Sequence, residues 1–129
     1  IEHMVEPHPI LDVLCKKLKP GGYIWMAFPS LRTLSFPPAT GTLNFCDDPT
    51  HVRIPELSDI CNLLLRNGLR IKHAGRSHNI PRAVLGCAFL PVTLVKDLIT
   101  GKLDATGLWH IVGFEDHVFA RLPETPSLR

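Results

Sequence analysis

Pro20, Gly21 and Gly22 separate two stretches that no single regular element can hold. Proline has no N–H for a helix interior and glycine reaches positive φ at little cost, so a helix arriving at Lys19 must stop there. The next residues, Tyr23 to Phe28, are apolar at every position and closed by Pro29. This run is too short for a buried helix. It predicts a strand covered on both faces, as in a parallel sheet. A helix feeding such a strand is half of a βαβ unit, so the predicted fold class is α/β.

The flanking sequence fits that frame. Pro7 and Pro9 give a stiff entry to a helix predicted from about Ile10 to Lys19. Ile10, Leu11, Leu14 and Leu18 would share one face, with Asp12, Lys16, Lys17 and Lys19 turned to water. A second helix is predicted from near Pro55 to just before Gly68, with Leu57, Ile60, Cys61 and Leu64 as its apolar stripe. Ile54, just before that proline, offers no side-chain cap. Leu69 to Ser77 reads as a strand near the sheet edge, Leu69, Ile71 and His73 alternating with Arg70 and Lys72.

Residues 30–54, with Pro37-Pro38, Gly41, Phe36 and Phe45, form a long segment that is either a lid or binding loop, or a surface excursion carrying a short helix. Asp47 and Asp48 are read as capping a turn there. Pro81 to Leu90 and Pro91 to Thr100 are predicted as two helical turns or a broken helix ending at Gly101. This insertion, at about 80–106, is either a lid or packing over the sheet edge. Gly107 to Phe114 leads to a final strand, His117 to Leu122, and the tail after Pro123 is expected to fray.

Composition excludes several classes. With 129 residues, 45% hydrophobic and 20% charged, the chain is expected to form one domain. Its 14 basic and 12 acidic residues give a net charge of +2 with no basic run, so charge implies no nucleic acid. Cys15, Cys46, Cys61 and Cys87 show no ligand spacing and are expected to be buried, reduced thiols of a cytoplasmic protein. The stretch from Ala83 to Leu94 is interrupted by Pro91 and falls short of the roughly 20 residues that cross a bilayer, so no membrane is expected. His73, His78, His110 and His117 are read as structural, and Trp25 and Trp109 as core. The first residue is not Met, which leaves room for sequence upstream.

Leu18-Lys19-Pro20-Gly21-Gly22 followed by an apolar strand resembles the lead into the fifth strand of class I S-adenosylmethionine-dependent methyltransferases. Glu2-His3-Met4 is similar to the segment just past that family's fourth strand. Asp48-Pro49-Thr50-His51-Val52-Arg53, running into Pro55-Glu56-Leu57, resembles the opening of the helix before its sixth strand. The resemblance spans roughly residues 1–77 and returns near Asp116 to Arg121. It implies the C-terminal part of a single Rossmann-like methyltransferase domain: strands five to seven, helices on the faces, and a last strand that runs antiparallel between five and six. The family's glycine-rich cofactor turn and its acidic strand end are missing, because no G-x-G-x-G occurs in the chain.

The resemblance also implies a site. Ligands of open α/β sheets bind beyond the carboxyl ends of the strands. Ile1, Glu2 and His3 would then contact S-adenosylmethionine, with His3 the candidate catalytic base, and Pro29, Ser30 and His51 would face the methyl acceptor. No metal is assigned, although some relatives hold a divalent ion in an E-x-x-E-H run, of which this chain keeps Glu2-His3 with His51 able to approach. The implied function is methyl transfer to an unidentified acceptor. The alternative is a non-catalytic remnant that serves as an interaction or dimerisation module, self-associating through the open edge of strand 23–28.

Overall fold

The computed structural model describes residues 1–36, 44–78, 80–101 and 114–124. In order these are α1 (Pro7–Lys17), β1 (Tyr23–Pro29), α2 (Leu57–Arg66), β2 (Arg70–Arg76), α3 (Ile80–Thr100) and β3 (Glu115–Arg121), with short 3-10 turns at Leu31–Ser35 and Phe45–Asp47. The architecture is mixed α/β around an open three-stranded sheet of order β1-β3-β2. The last strand lies between the other two and runs antiparallel to both, so β1 and β2 run parallel to each other without touching.

The glycine turn closes against the last strand. Gly21 has φ 79°. Its N–H donates to the Leu122 carbonyl at 3.0 Å, while Leu122 N–H donates to the Gly22 carbonyl at 2.9 Å. A side chain at Gly22 would lie 2.8 Å from the Lys19 carbonyl oxygen. We expect Gly21→Ala to lose about 1–2 kcal/mol in urea denaturation, because an L-residue pays the left-handed penalty there. Gly22→Ala should disturb the same turn by displacing the Lys19 carbonyl.

The core lies on one face of the sheet. Phe28 of β1 and Val118 and Ala120 of β3 pack with Leu11 and Cys15 of α1, with Ile60, Leu63 and Leu64 of α2, and with Leu69. Ile24, Met26 and Ile71 complete that face as half-buried side chains. Gly68, at φ 80°, ends α2 and turns the chain into β2.

Several expectations change. The strand from Tyr23 to Phe28 is covered on one face only, because α1 and α2 sit together on a single side, and its neighbour among the described strands, β3, runs antiparallel to it. Trp25 is 63% exposed and is not core. α1 begins at Pro7, three residues early: the first helical turn needs no intrahelical N–H partners, so both prolines fit inside it. Its buried stripe is Pro7, Leu11 and Cys15, leaving Ile10 and Leu14 exposed. Cys46 and Cys87 are exposed, although all four cysteines are free thiols.

In β2 a register shift between Ile71 and His73 leaves Lys72 as an extra residue, a bulge that sends His73 to the face opposite Ile71. The insertion is not a broken helix. α3 runs unbroken through Pro91 and none of its residues is buried, so it does not serve as packing over the sheet edge. Trp109, His110 and the expected lead from Gly107 to Phe114, apart from Phe114 itself, lie outside the described residues.

Candidate functional site

The carboxyl ends of β1 and β2 carry Ser30 and Ser77, and the start of β3 passes between them. Ser30 N–H donates to the Phe114 carbonyl at 2.7 Å, and Ser77 N–H to the Glu115 carbonyl at 2.8 Å. The Ser30 carbonyl accepts from the Thr33 hydroxyl at 2.8 Å. The Ser30 hydroxyl, in a residue only 3% exposed, has no partner among the described residues. A buried hydroxyl left unpaired costs about 1–3 kcal/mol, a cost concentrated at functional sites. Pro29 beside it is half-buried.

The second cluster forms where the N-terminal segment meets the segment before α2. Val52 and Arg53 N–H both donate to the Glu2 carbonyl, at 3.0 and 3.3 Å. This pairing brings one ligand atom each of Glu2, His3 and His51 within 4.8 Å of one another. α2 runs back from this region to the start of β2, so its amino end lies on the side of the strands' carboxyl ends. Ile1 is half-buried and packs on the core cluster.

Hydrogen bonds settle the tautomers. His3 Nδ1 lies 3.2 Å from the Thr50 carbonyl and 3.0 Å from the Thr50 hydroxyl. That hydroxyl donates to Asp48 Oδ1 at 2.6 Å, and a carbonyl only accepts, so Nδ1 of neutral His3 carries the proton. His51 Nδ1 likewise donates to the Phe45 carbonyl at 2.9 Å, with its ring stacked on Phe45. Both imidazoles thus present a lone pair at Nε2. The His3–Thr50–Asp48 chain orients a base in the way that carboxylates orient catalytic histidines. Two Nε2 atoms and the Glu2 carboxylate are also a donor set that suits a divalent ion.

Charges in the cluster favour the ionised acids. Burial pushes the Glu2 carboxyl up, but its own backbone N–H and the ammonium of Ile1 outweigh this and hold it below its ordinary value. Asp48 is held low by the hydroxyl and the backbone N–H of Thr50. Asp48 therefore caps the turn as expected and also anchors the relay to His3.

Asp116 was not legible as a site residue. It stands opposite Phe28 on one side and Arg76 on the other, at the carboxyl ends of both neighbours. Burial pushes its carboxyl above the ordinary range, and Arg76, His117 and Arg32 only partly pull it back. Perturbed acids of this kind are enriched at functional sites. Nothing in the local sequence Glu115-Asp116-His117 marks it, because Asp116 is one of two adjacent acids at the polar start of the strand. An acid with a raised folded pKa contributes stability below its unfolded pKa and loses it as pH climbs through the folded value. Asp116→Asn is therefore expected to raise the melting temperature at pH 7 and to flatten its decline above about pH 4. Thermal melts across that range check this.

His73 and His117, read as scattered, are brought together on the open face by the bulge, rings stacked at 4.8 Å and His117 Nε2 2.8 Å from His73 Nδ1. Two surface clefts lie elsewhere. One is lined by His8, Asp12, Lys16, Leu63, Arg66 and Asn67, the other by Arg70, Lys72, Arg121, Pro123 and Glu124. The second sits at the amino ends of β1 and β2, and the first reaches the junction of α2 with β2, so neither coincides with Ser30. Among the described residues no hydrogen bond joins Ser30 to the His3 cluster.

No protein-family model matches the chain, and no curated protein sequence matches it. The class that the observations define is thus a small α/β sheet with an antiparallel last strand between two parallel ones, bearing a histidine and carboxylate cluster beside α2.

Proposed function

We propose that this chain supplies strands five to seven and the acceptor side of an S-adenosylmethionine-dependent methyltransferase domain. The observation that carries the reading is the strand order β1-β3-β2 with the last strand reversed, preceded by the Lys19-Pro20-Gly21-Gly22 turn. Independent support comes from α1 and α2, which pack on the same face, and from the unpaired Ser30 hydroxyl at the end of β1.

The cofactor supplies an electrophilic methyl group on a sulfonium. Ile1 to His3 are the residues here that would face it, and Pro29, Ser30 and His51 would face the acceptor. His3 has its Nε2 lone pair available to take a proton from an acceptor that must lose one, while Thr50 and Asp48 hold the ring. Positioning supplies the rest, since transfer needs the acceptor in line with the methyl group. The test is the reading frame upstream of Ile1. It is expected to encode a strand followed by G-x-G-x-G and a later strand ending in an acid. An unrelated domain there would sink the enzyme reading.

A second reading rests on a different observation. Among the described residues β1 is an edge strand, and its Tyr23 and Trp25 are exposed. A sheet kept for assembly without chemistry would also present this edge.

A further inference from the structure

We propose that α3 lies in the surface of a lipid membrane, its outward aliphatic face among the acyl chains and its basic residues at anionic headgroups. The inference does not depend on the methyltransferase reading. α3 has 21 residues and none is buried. Leu98 is 85% exposed, Ile99 79%, Val92 66% and Val84 64%. The half-buried positions, Ala83, Gly86, Leu90, Thr93 and Asp97, recur at helical spacing and are mostly small or polar. The helix thus leaves its large aliphatic residues in solvent, while the strip that is half-buried is mostly small and polar. That is the reverse of a helix docked on a core in water.

The polar groups of α3 are managed as they are in lipid. Thr93 donates its hydroxyl to the Phe89 carbonyl at 3.1 Å and Thr100 to the Lys96 carbonyl at 2.9 Å, so neither hydroxyl needs water. Charge points to an anionic surface: His78 and Arg82 stand at the amino end and Lys96 near the carboxyl end, with Asp97 the only acid in the helix.

Topology decides between lying on the membrane and crossing it. A 21-residue helix is about 31 Å long, close to the hydrocarbon thickness. The strands on either side of it are hydrogen-bonded neighbours, since Ser77 N–H reaches the Glu115 carbonyl at 2.8 Å. A crossing helix would oblige the chain to return within residues 102–113, twelve residues where a second helical span needs about 20. An in-plane helix has no such demand. Because α3 leaves the sheet from the carboxyl end of β2, that end would face the membrane.

Flotation of the purified protein with lipid vesicles tests this. The protein is expected to float with vesicles of phosphatidylcholine and phosphatidylglycerol and less with phosphatidylcholine alone. Leu85→Glu/Val92→Glu/Leu98→Glu should reduce flotation at least tenfold with unchanged far-ultraviolet circular dichroism, and Arg82→Glu/Lys96→Glu should remove the preference for the anionic lipid. Phe89→Trp should give a blue-shifted emission on vesicles. Failure of the unsubstituted protein to float, or flotation untouched by the triple substitution, would overturn the proposal. So would a triple variant that merely turns an oligomer into a monomer, which would identify a second copy as the occupant.

Discussion

Phe28→Ala is expected to cost about 3–5 kcal/mol, a large share of the roughly 5–15 kcal/mol that holds an ordinary domain. Phe28 is 2% exposed and stands where β1 meets Val118, α1 and α2. Removing its ring opens a cavity that the sheet on one side and two helices on the other are poorly placed to fill. Trp25, three residues earlier, has more surface but spends it on the open face at 63% exposure. Trp25→Ala should therefore cost less than about 1 kcal/mol. Urea denaturation of the two variants checks the contrast, and equal losses would contradict a sheet covered on one side.

A dimer is the expected state of this chain at high concentration, joined through the free edge of β1. Among the described residues β1 pairs with β3 alone, which leaves a row of its backbone donors and acceptors without a strand partner beside Tyr23 and Trp25. β2 is the other edge but carries Arg70, Lys72 and Arg76 and a bulge at Lys72, features that discourage pairing. Trp25→Lys places a charge on β1 in the same way, so light scattering should report the mass of the variant halved. A monodisperse monomer for the unsubstituted chain would exclude association through this edge. If the chain belongs to a methyltransferase sheet, a fourth strand covers β1, and a longer protein that includes it is expected to lose this association.

What could be read without coordinates was local. Lys19-Pro20-Gly21-Gly22 announces a stop and a strand because proline and glycine act through their own backbones. The stripe Leu57, Ile60, Leu64 and the stop at Gly68 place α2 by period and punctuation. The reversed last strand came from the resemblance, and the register agrees with it. The rest depends on neighbours far along the chain. Whether one or both faces of β1 are covered turns on where α1 and α2 dock, and the rotation of α1 toward Leu11 and Cys15 follows from the same packing. The His73–His117 pair needs the bulge at Lys72. His3, Thr50 and Asp48 meet across 47 residues, and the perturbed Asp116 owes its environment to strands on both sides. Pro91 reads as a break, yet α3 continues through it, and in this exposed helix the loss of one N–H does not end the element.

Calorimetry with S-adenosylhomocysteine tests the central claim most directly, run on residues 1–129 and on the polypeptide extended upstream. The account predicts no measurable heat from residues 1–129, where no glycine-rich turn is present, and micromolar binding once the upstream strands are included. Binding by residues 1–129 alone, or none by the extended protein, would contradict it.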